Sequence, residues 1–200
     1  MRRSYETTVV FLLGYPGMGK RTVGGALATL VDAVLLDNAR IHGVLLEPFR
    51  WDGVAPLPTE IWDRVTPVRH ALLGVIEDLA PASNSYVFTN ALEDEESSAE
   101  HYDSIKSLAA RRGSLFLAVQ LDCDIEVQVS RIDNPDRIAL RKGADPSGYR
   151  WHRQNVTLFE PPTEDRFDID TTDTSPQENA ELIRAELVRR GFVTPAVQKG

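Results

Sequence analysis

Apolar residues in this chain follow two patterns: short unbroken runs, and longer stretches with an apolar residue at every third or fourth position. The runs at 7–13, 33–36, 85–89, 115–121 and 167–169 predict strands buried on both faces, because a strand covered by helices on either side has no polar face. Between them, Val23, Ala26, Leu27, Leu30 and Val31 predict a helix over 20–31. Val65, Val68, Leu72, Ile76 and Leu79 predict another over 59–79, bent at Pro67, with Arg69 and His70 as polar interruptions of its stripe. Further helices are expected over 98–112, ended by Gly113, and over 125–132, capped by Asp124. Asn134 as N-cap, Pro135 in first position and Gly143 as terminator predict a short separate helix. Ser175-Pro176-Gln177-Glu178 reads as a capping box that opens a last helix running to Arg190. The stretch 40–58, broken by Gly43, Pro48, Gly53, Pro56 and Pro58, is expected to be irregular. Strands alternating with helices predict an α/β fold in three layers, with about five parallel strands and helices on both faces. A chain of 200 residues suits a single domain.

The turn between the first strand and its helix carries the strongest chemical signal. In Gly14-Tyr15-Pro16-Gly17-Met18-Gly19-Lys20-Arg21-Thr22 the spacing of Gly14, Gly19 and Lys20 fits the phosphate-binding pattern G-x-x-x-x-G-K. Glycines let backbone amides turn inward around a polyphosphate, and the lysine and the positive end of the helix supply charge. Many such loops have a Ser or Thr after the lysine as a Mg2+ ligand. Here that position is Arg21 and the hydroxyl follows at Thr22, so Thr22 is the candidate metal ligand.

Other candidates sit where an open α/β sheet collects function, at the carboxyl ends of its strands. Asp37 closes the second strand and Asn90 the third. Asp37 is the candidate proton acceptor or hydroxyl-orienting group, with turn capping as the competing role. Arg40 and His42, in the stretch that follows, are candidate substrate contacts together with Asn90, which equally suits capping the next turn. Composition narrows the partners. A net charge of −8 argues against a general nucleic-acid surface while allowing a local basic pocket. Cys123 is the only cysteine, which excludes an intrachain disulfide and, beside an apolar run, suggests a buried thiol. The apolar run at 9–13 is too short for a signal-peptide core or a membrane span; the expected location is cytoplasmic.

The loop G-x-P-G-x-G-K-x-T resembles that of adenylate kinase and of the related small-molecule P-loop kinases, the shikimate and gluconate kinase group. Arg131-Ile132 followed by Arg137 is similar to the R-I-x-x-R that opens the lid in adenylate kinases. Arg141-Lys142 with Asp145, Arg150 and Arg153 looks like the closing half of that lid, placing it at about 131–153. The resemblance implies a P-loop NTPase fold, ATP as phosphoryl donor, and Mg2+ held largely through water and phosphate. It also implies lid arginines, Arg137 and Arg141 first among them, that clamp the phosphates, with Arg131 packing near adenine. The strand, D-T-T loop and capped helix at the end of the chain resemble the adenine-side loop, which brings Thr171 toward the base. Gly14, Gly17, Met18, Gly19, Lys20, Arg21 and Thr22 would then form the nucleotide cradle.

The sequence thus predicts transfer of a γ-phosphoryl group from ATP to a hydroxyl of a small molecule, with Lys20, Asp37, Arg137 and Arg141 as catalytic residues. Two other readings stay open. One is a nucleotide or nucleic-acid-end kinase, with Arg40, Arg50 and Arg69 gripping an acceptor phosphate. The other is a nucleotide-binding module or regulatory ATPase, which Arg21 and Asn90 at metal-ligand positions would favour.

Overall fold

The computed structural model of the chain describes residues 4–52, 54–132, 137, 142–143 and 145–193. Five parallel strands form one sheet: β1 (Thr8–Leu13), β2 (Ala33–Asp37), β3 (Ser85–Thr89), β4 (Leu115–Asp122) and β5 (Arg166–Asp170), in the spatial order β2, β3, β1, β4, β5. The helices are α1 (Lys20–Leu30), α2 (Asn38–Leu46), α3 (Val65–Asp78), α4 (Glu96–Arg111), α5 (Ile125–Ile132), α6 (Pro146–Asn155) and α7 (Pro176–Arg189).

The unbroken apolar run of β1 has a physical cause: every residue of the strand is buried. Its side chains alternate between two cores, Val10 and Leu12 facing one with α1 and α7, and Val9, Phe11 and Leu13 facing the other with α3 and α4. The layered arrangement and the parallel sheet follow the sequence expectation. α7 starts on the expected capping box, the Ser175 hydroxyl accepting from Glu178 N and the Glu178 carboxylate from Ser175 N. Asp124 caps α5 as expected, its carboxylate accepting from Glu126 N at 2.7 Å, and Cys123 is buried.

Three local expectations are corrected. Residues 38–46 form α2, because Asp37 N-caps it and Gly43 lies in a solvent-facing helix where a missing Cβ disturbs nothing. Residues 59–64 form a 3-10 turn, and the α-helix starts only at Val65, so Pro67 lies in its first turn, where a missing N–H costs no bond, and does not bend it. α6 is an additional helix, started by the Asp145 cap on Ser147 and by Pro146 in first position. The short helix expected at 134–143 falls mostly outside the described residues.

Register places the chemistry. Asp37 pairs with Thr89, and Leu12 pairs with Thr89 on the other side, so the carboxyl ends of β2, β3 and β1 form one rim with the glycine loop above it. Asn90 N donates to Leu12 O at 2.9 Å and ties β3 to the strand that launches the loop.

Leu27 of α1 is fully buried against this sheet. Leu27→Ala should cost about 2–5 kcal/mol of folding stability, read as a lowered denaturation midpoint with an unchanged denaturant slope. A loss below about 1 kcal/mol would contradict the packing described for α1.

Candidate functional site

Backbone geometry explains the glycines of the loop. Gly14, Gly17 and Gly19 have φ of 135°, 93° and 82°, values that side chains resist. At Gly14 a Cβ would overlap the carbonyl of Leu121, and at Gly17 it would lie 2.9 Å from the Gln128 side chain. Gln128, itself fully buried, donates to Pro16 O at 2.7 Å and pins the outer arm of the loop to α5. Met18 is buried beneath it, its Sδ 3.2 Å from Cys123 Sγ.

Lys20 folds back over this turn, its Nζ donating to Gly14 O at 2.6 Å and Tyr15 O at 2.8 Å. Burial, then the nearby Lys142, push its pKa down to about 7, with Asp37 opposing. Arg21 does not turn toward the loop. Its guanidinium donates to Asp37 Oδ2 at 3.1 Å, and Lys142 Nζ reaches the same oxygen at 3.2 Å. The other carboxylate oxygen accepts from Thr89 Oγ1 at 2.9 Å and from Ala39 N at 3.4 Å. Asp37 therefore caps α2 and also joins an ion-pair network. Burial pushes its pKa up, but Lys142 and the hydrogen bonds from Thr89 and Ala39 outweigh it, and the carboxyl ends below its usual range.

These groups line one cavity of about 720 Å³. At one end Arg131 forks onto Thr171, donating to its hydroxyl at 3.0 Å and its carbonyl at 2.7 Å, beside Thr174, Pro176 and Asn179. At the other, past Asp37, stand His42, Trp51, Trp62 and Arg69. Arg137 and Tyr149 contribute from the segment over the rim, with Arg137 donating to Gly143 O and lying 5.4 Å from the Tyr149 ring centre. Among the described lining residues, Lys20, Arg21, Arg69, Arg131, Arg137 and Lys142 are cationic and Asp37 alone is acidic. A protein of net charge −8 thus concentrates positive charge in its cavity, a field that attracts anions.

The candidate residues sort as follows. Gly17, Met18, Gly19, Lys20, Arg21, Thr22, Asp37, His42, Asn90, Arg131, Arg137 and Thr171 line the cavity, with Gly14 at the base of the loop. Arg40 is exposed and lies away from the lining, because the turn of α2 that directs His42 inward directs Arg40 outward. Arg141 lies outside the described residues. Arg153 ion-pairs with Asp122 at 2.8 Å, donates to Cys123 O and stacks over Tyr15, while Arg150 forks onto Glu126. Both brace α6 against the loop and α5, and neither lines the cavity. Asn90 accepts through Oδ1 from Ala91 N and Asn38 Nδ2, which is the turn-capping role, while its Nδ2 is buried with no partner among the described residues. Asn38, Thr89 and Trp62 line the cavity without being candidates from sequence, and Lys142 enters there only as part of the lid's closing half. The signal for Thr89 and Asn38 is their place at strand ends and that for Lys142 the lid resemblance; nothing marks Trp62.

A polyphosphate fits this site: inward amides, a lysine and a ring of cations all address negative oxygens. For Mg2+ the donor set is sparse. Thr22 is exposed at the start of α1 and lines the cavity, but the one carboxylate among the described lining residues is engaged by two cations. No cluster of three His, Cys, Asp or Glu suited to a metal occurs among the described residues. None of their helices is long and apolar enough to cross a membrane.

No protein-family model matches the chain, and no curated protein matches it by sequence. Solved structures do. A gluconokinase from Sinorhizobium meliloti 1021 superposes at a TM-score of 0.63 and 19% identity, over 94% of this chain and 95% of that one. A sugar kinase from Janibacter sp. HTCC2649 gives 0.62 and 18%, over 91% and 95%. The Mycobacterium tuberculosis APS kinase, solved with AMPPNP and APS, gives 0.56 and 18%, over 93% and 99%. The chain has the fold of the P-loop small-molecule kinases.

The depressed pKa of Lys20 has a binding consequence. A bound polyphosphate stabilises the charged ammonium, so binding above pH 7 takes up a proton. Affinity for a nucleoside triphosphate should hold down to the point where the triphosphate itself protonates, and should weaken by up to about tenfold per pH unit above about pH 7. Titration calorimetry in buffers of different ionisation enthalpy reads the uptake, which Lys20→Met should abolish. An affinity flat from about pH 7 to 9 would refute the assignment.

Proposed function

We propose that the protein transfers the γ-phosphoryl group of ATP to a hydroxyl of a small molecule. The observation that carries this reading is the placement of a phosphate loop and a strand-end carboxylate, Asp37, on one rim of a single cationic cavity. The kinase names of the structural neighbours support it.

In this reading the loop amides from Gly17 to Thr22 and Lys20 hold the β- and γ-phosphates, Lys20 exchanging the carbonyls of Gly14 and Tyr15 for phosphate oxygens. Arg131 and Thr171 border the base. Arg137 and Lys142 close over the transferring group and exclude water, which this chemistry needs more than covalent participation. Arg141 belongs to the same proposed clamp. Mg2+ would neutralise charge on the phosphates, and Thr22 is the loop hydroxyl that would help to hold it. The acceptor oxygen bonds to Pγ as the bond from Pγ to the β–γ bridging oxygen breaks, ADP leaves, and the hydroxyl proton passes toward Asp37. His42 and Asn90 face the acceptor.

The ion pairs of Asp37 give this step an order. While Lys142 and Arg21 hold its carboxylate, Asp37 is a weak base suited to orienting a hydroxyl. A γ-phosphate that draws Lys142 away raises the basicity of Asp37 when both substrates are present. A second reading, a nucleotide-binding module that transfers nothing, takes support from the same clasp, since there Arg21 and Lys142 simply neutralise a structural carboxylate.

ATP consumption with Mg2+, screened against hydroxyl-bearing metabolites, antibiotics and nucleotides, separates the two. Transfer predicts selective stimulation by an acceptor. Asp37→Asn should then lower kcat by roughly 10²–10⁴-fold while ATP binds as well as or more tightly than before, because the one acidic charge among the described lining residues is gone. ATP binding that no acceptor stimulates would hand the case to the module.

A further inference from the structure

Arg137 comes from the segment over the rim, and its side chain leans on more than that segment. Its Nε donates to Gly143 O at 2.8 Å and its carbonyl accepts from Lys142 N at 2.9 Å. Its guanidinium carbon lies 5.4 Å from the centre of the Tyr149 ring, within the range in which an aromatic face attracts a cation. Tyr149 has no part in the mechanism above, yet it lines the cavity beside Arg137, Lys142 and Gly143.

The ring stands on a fixed support. Tyr149 belongs to the first turn of α6, and the rest of that helix is tied down at its other end. Arg150 forks onto Glu126 of α5 at 2.6 and 2.8 Å, and Arg153 ion-pairs with Asp122 at the end of β4. Val156 O, just past the helix, accepts from the hydroxyl of Tyr15 in the glycine loop at 2.6 Å. Gly143 fits against the ring: a Cβ there would overlap the Tyr149 hydroxyl and lie 3.0 Å from the ring carbon that bears it. Gly143 is not in the left-handed region, so this contact is what calls for glycine.

The charge of Arg137 reaches the phosphate loop. With burial and Lys142, it is among the causes that lower the pKa of Lys20, so both cations address one space. An arginine side chain loses much rotamer freedom when an anion fixes it, and a platform that fixes it beforehand removes that cost from binding.

We infer that Tyr149 is a positioning residue: its ring, carried on α6, holds the Arg137 guanidinium over the phosphates of a bound nucleotide, and Gly143 leaves room for the ring. The task given to Arg137 rests on the phosphotransfer reading; the platform itself stands on the contacts of Tyr149.

The test measures the affinity of the whole chain for a non-hydrolysable ATP analogue and for ADP by titration calorimetry. Tyr149→Leu should weaken the ATP analogue by roughly three- to tenfold, and Arg137→Met by at least as much. The double variant should lose no more than Arg137→Met alone, because the ring acts through the guanidinium. Tyr149→Phe should recover most of the affinity lost in Tyr149→Leu, since the aromatic face is kept. Gly143→Ala should weaken binding by pushing the ring aside, and adding Tyr149→Phe, which removes the overlapping hydroxyl, should relieve that loss. A residue that merely braces the fold would lower the melting temperature and show no such dependence on Arg137. Affinity that Tyr149→Leu leaves unchanged, losses that multiply in the double variant, or Tyr149→Phe as damaging as Tyr149→Leu overturns the inference. A loss equal for the ATP analogue and ADP leaves the platform standing and instead overturns the placing of Arg137 over the transferring group.

Discussion

The buried carboxylate of Asp37 is the constraint on which the site depends. Several cations converge on one cavity, and at close range their mutual repulsion is weakly screened. Asp37 is the one acidic group among the described lining residues, and it takes two of those cations on a single oxygen while Thr89 and the start of α2 fix the other. Its position comes from the sheet: β2 pairs with β3 so that Asp37 lies level with Thr89, and β3 pairs with β1 so that Thr89 lies beside the root of the loop. Fold and electrostatics therefore meet at one residue. What remains uncompensated around it is a demand for negative charge.

That demand falls in two places. On the loop side Lys20, Arg131 and Arg137 surround a space suited to polyphosphate. On the α3 side Arg69 waits among neutral partners. Asp37 stands between them, the position that the phosphotransfer reading requires of a group handling the acceptor's proton.

Much of this could be read from the chain, and the reason is locality. The glycine loop was legible because its φ values and spacing are set by neighbouring residues, and so were the capping box at Ser175 and the Asp124 cap. The strands were legible because β1, buried throughout, leaves no polar position to confuse the pattern. Helix α2 was not. Its prolines lie beyond it, at 48 and after, and its N-cap, Asp37, suits a catalytic role as readily as a capping one. Long-range pairing was invisible in principle. Nothing in the sequence says that Arg21 turns to Asp37, that Arg153 braces Asp122 and Tyr15, or that Arg69 meets no carboxylate among the described residues. Arg40 shows the limit from the other side: a basic residue near a strand end was a fair candidate, but helical phase carried it to the surface.

The folded-back Lys20 bears on timing. Because its ammonium already occupies the two carbonyls at the mouth of the loop, and because Gln128 and Leu121 hold the turn from outside, the cradle keeps its shape before any nucleotide arrives. Capture of a polyphosphate then asks for little more than exchange of the two carbonyl partners of Lys20 for phosphate oxygens. In the phosphotransfer reading, nucleotide arrival is then paced by diffusion and by the cationic field of the cavity and not by formation of the loop.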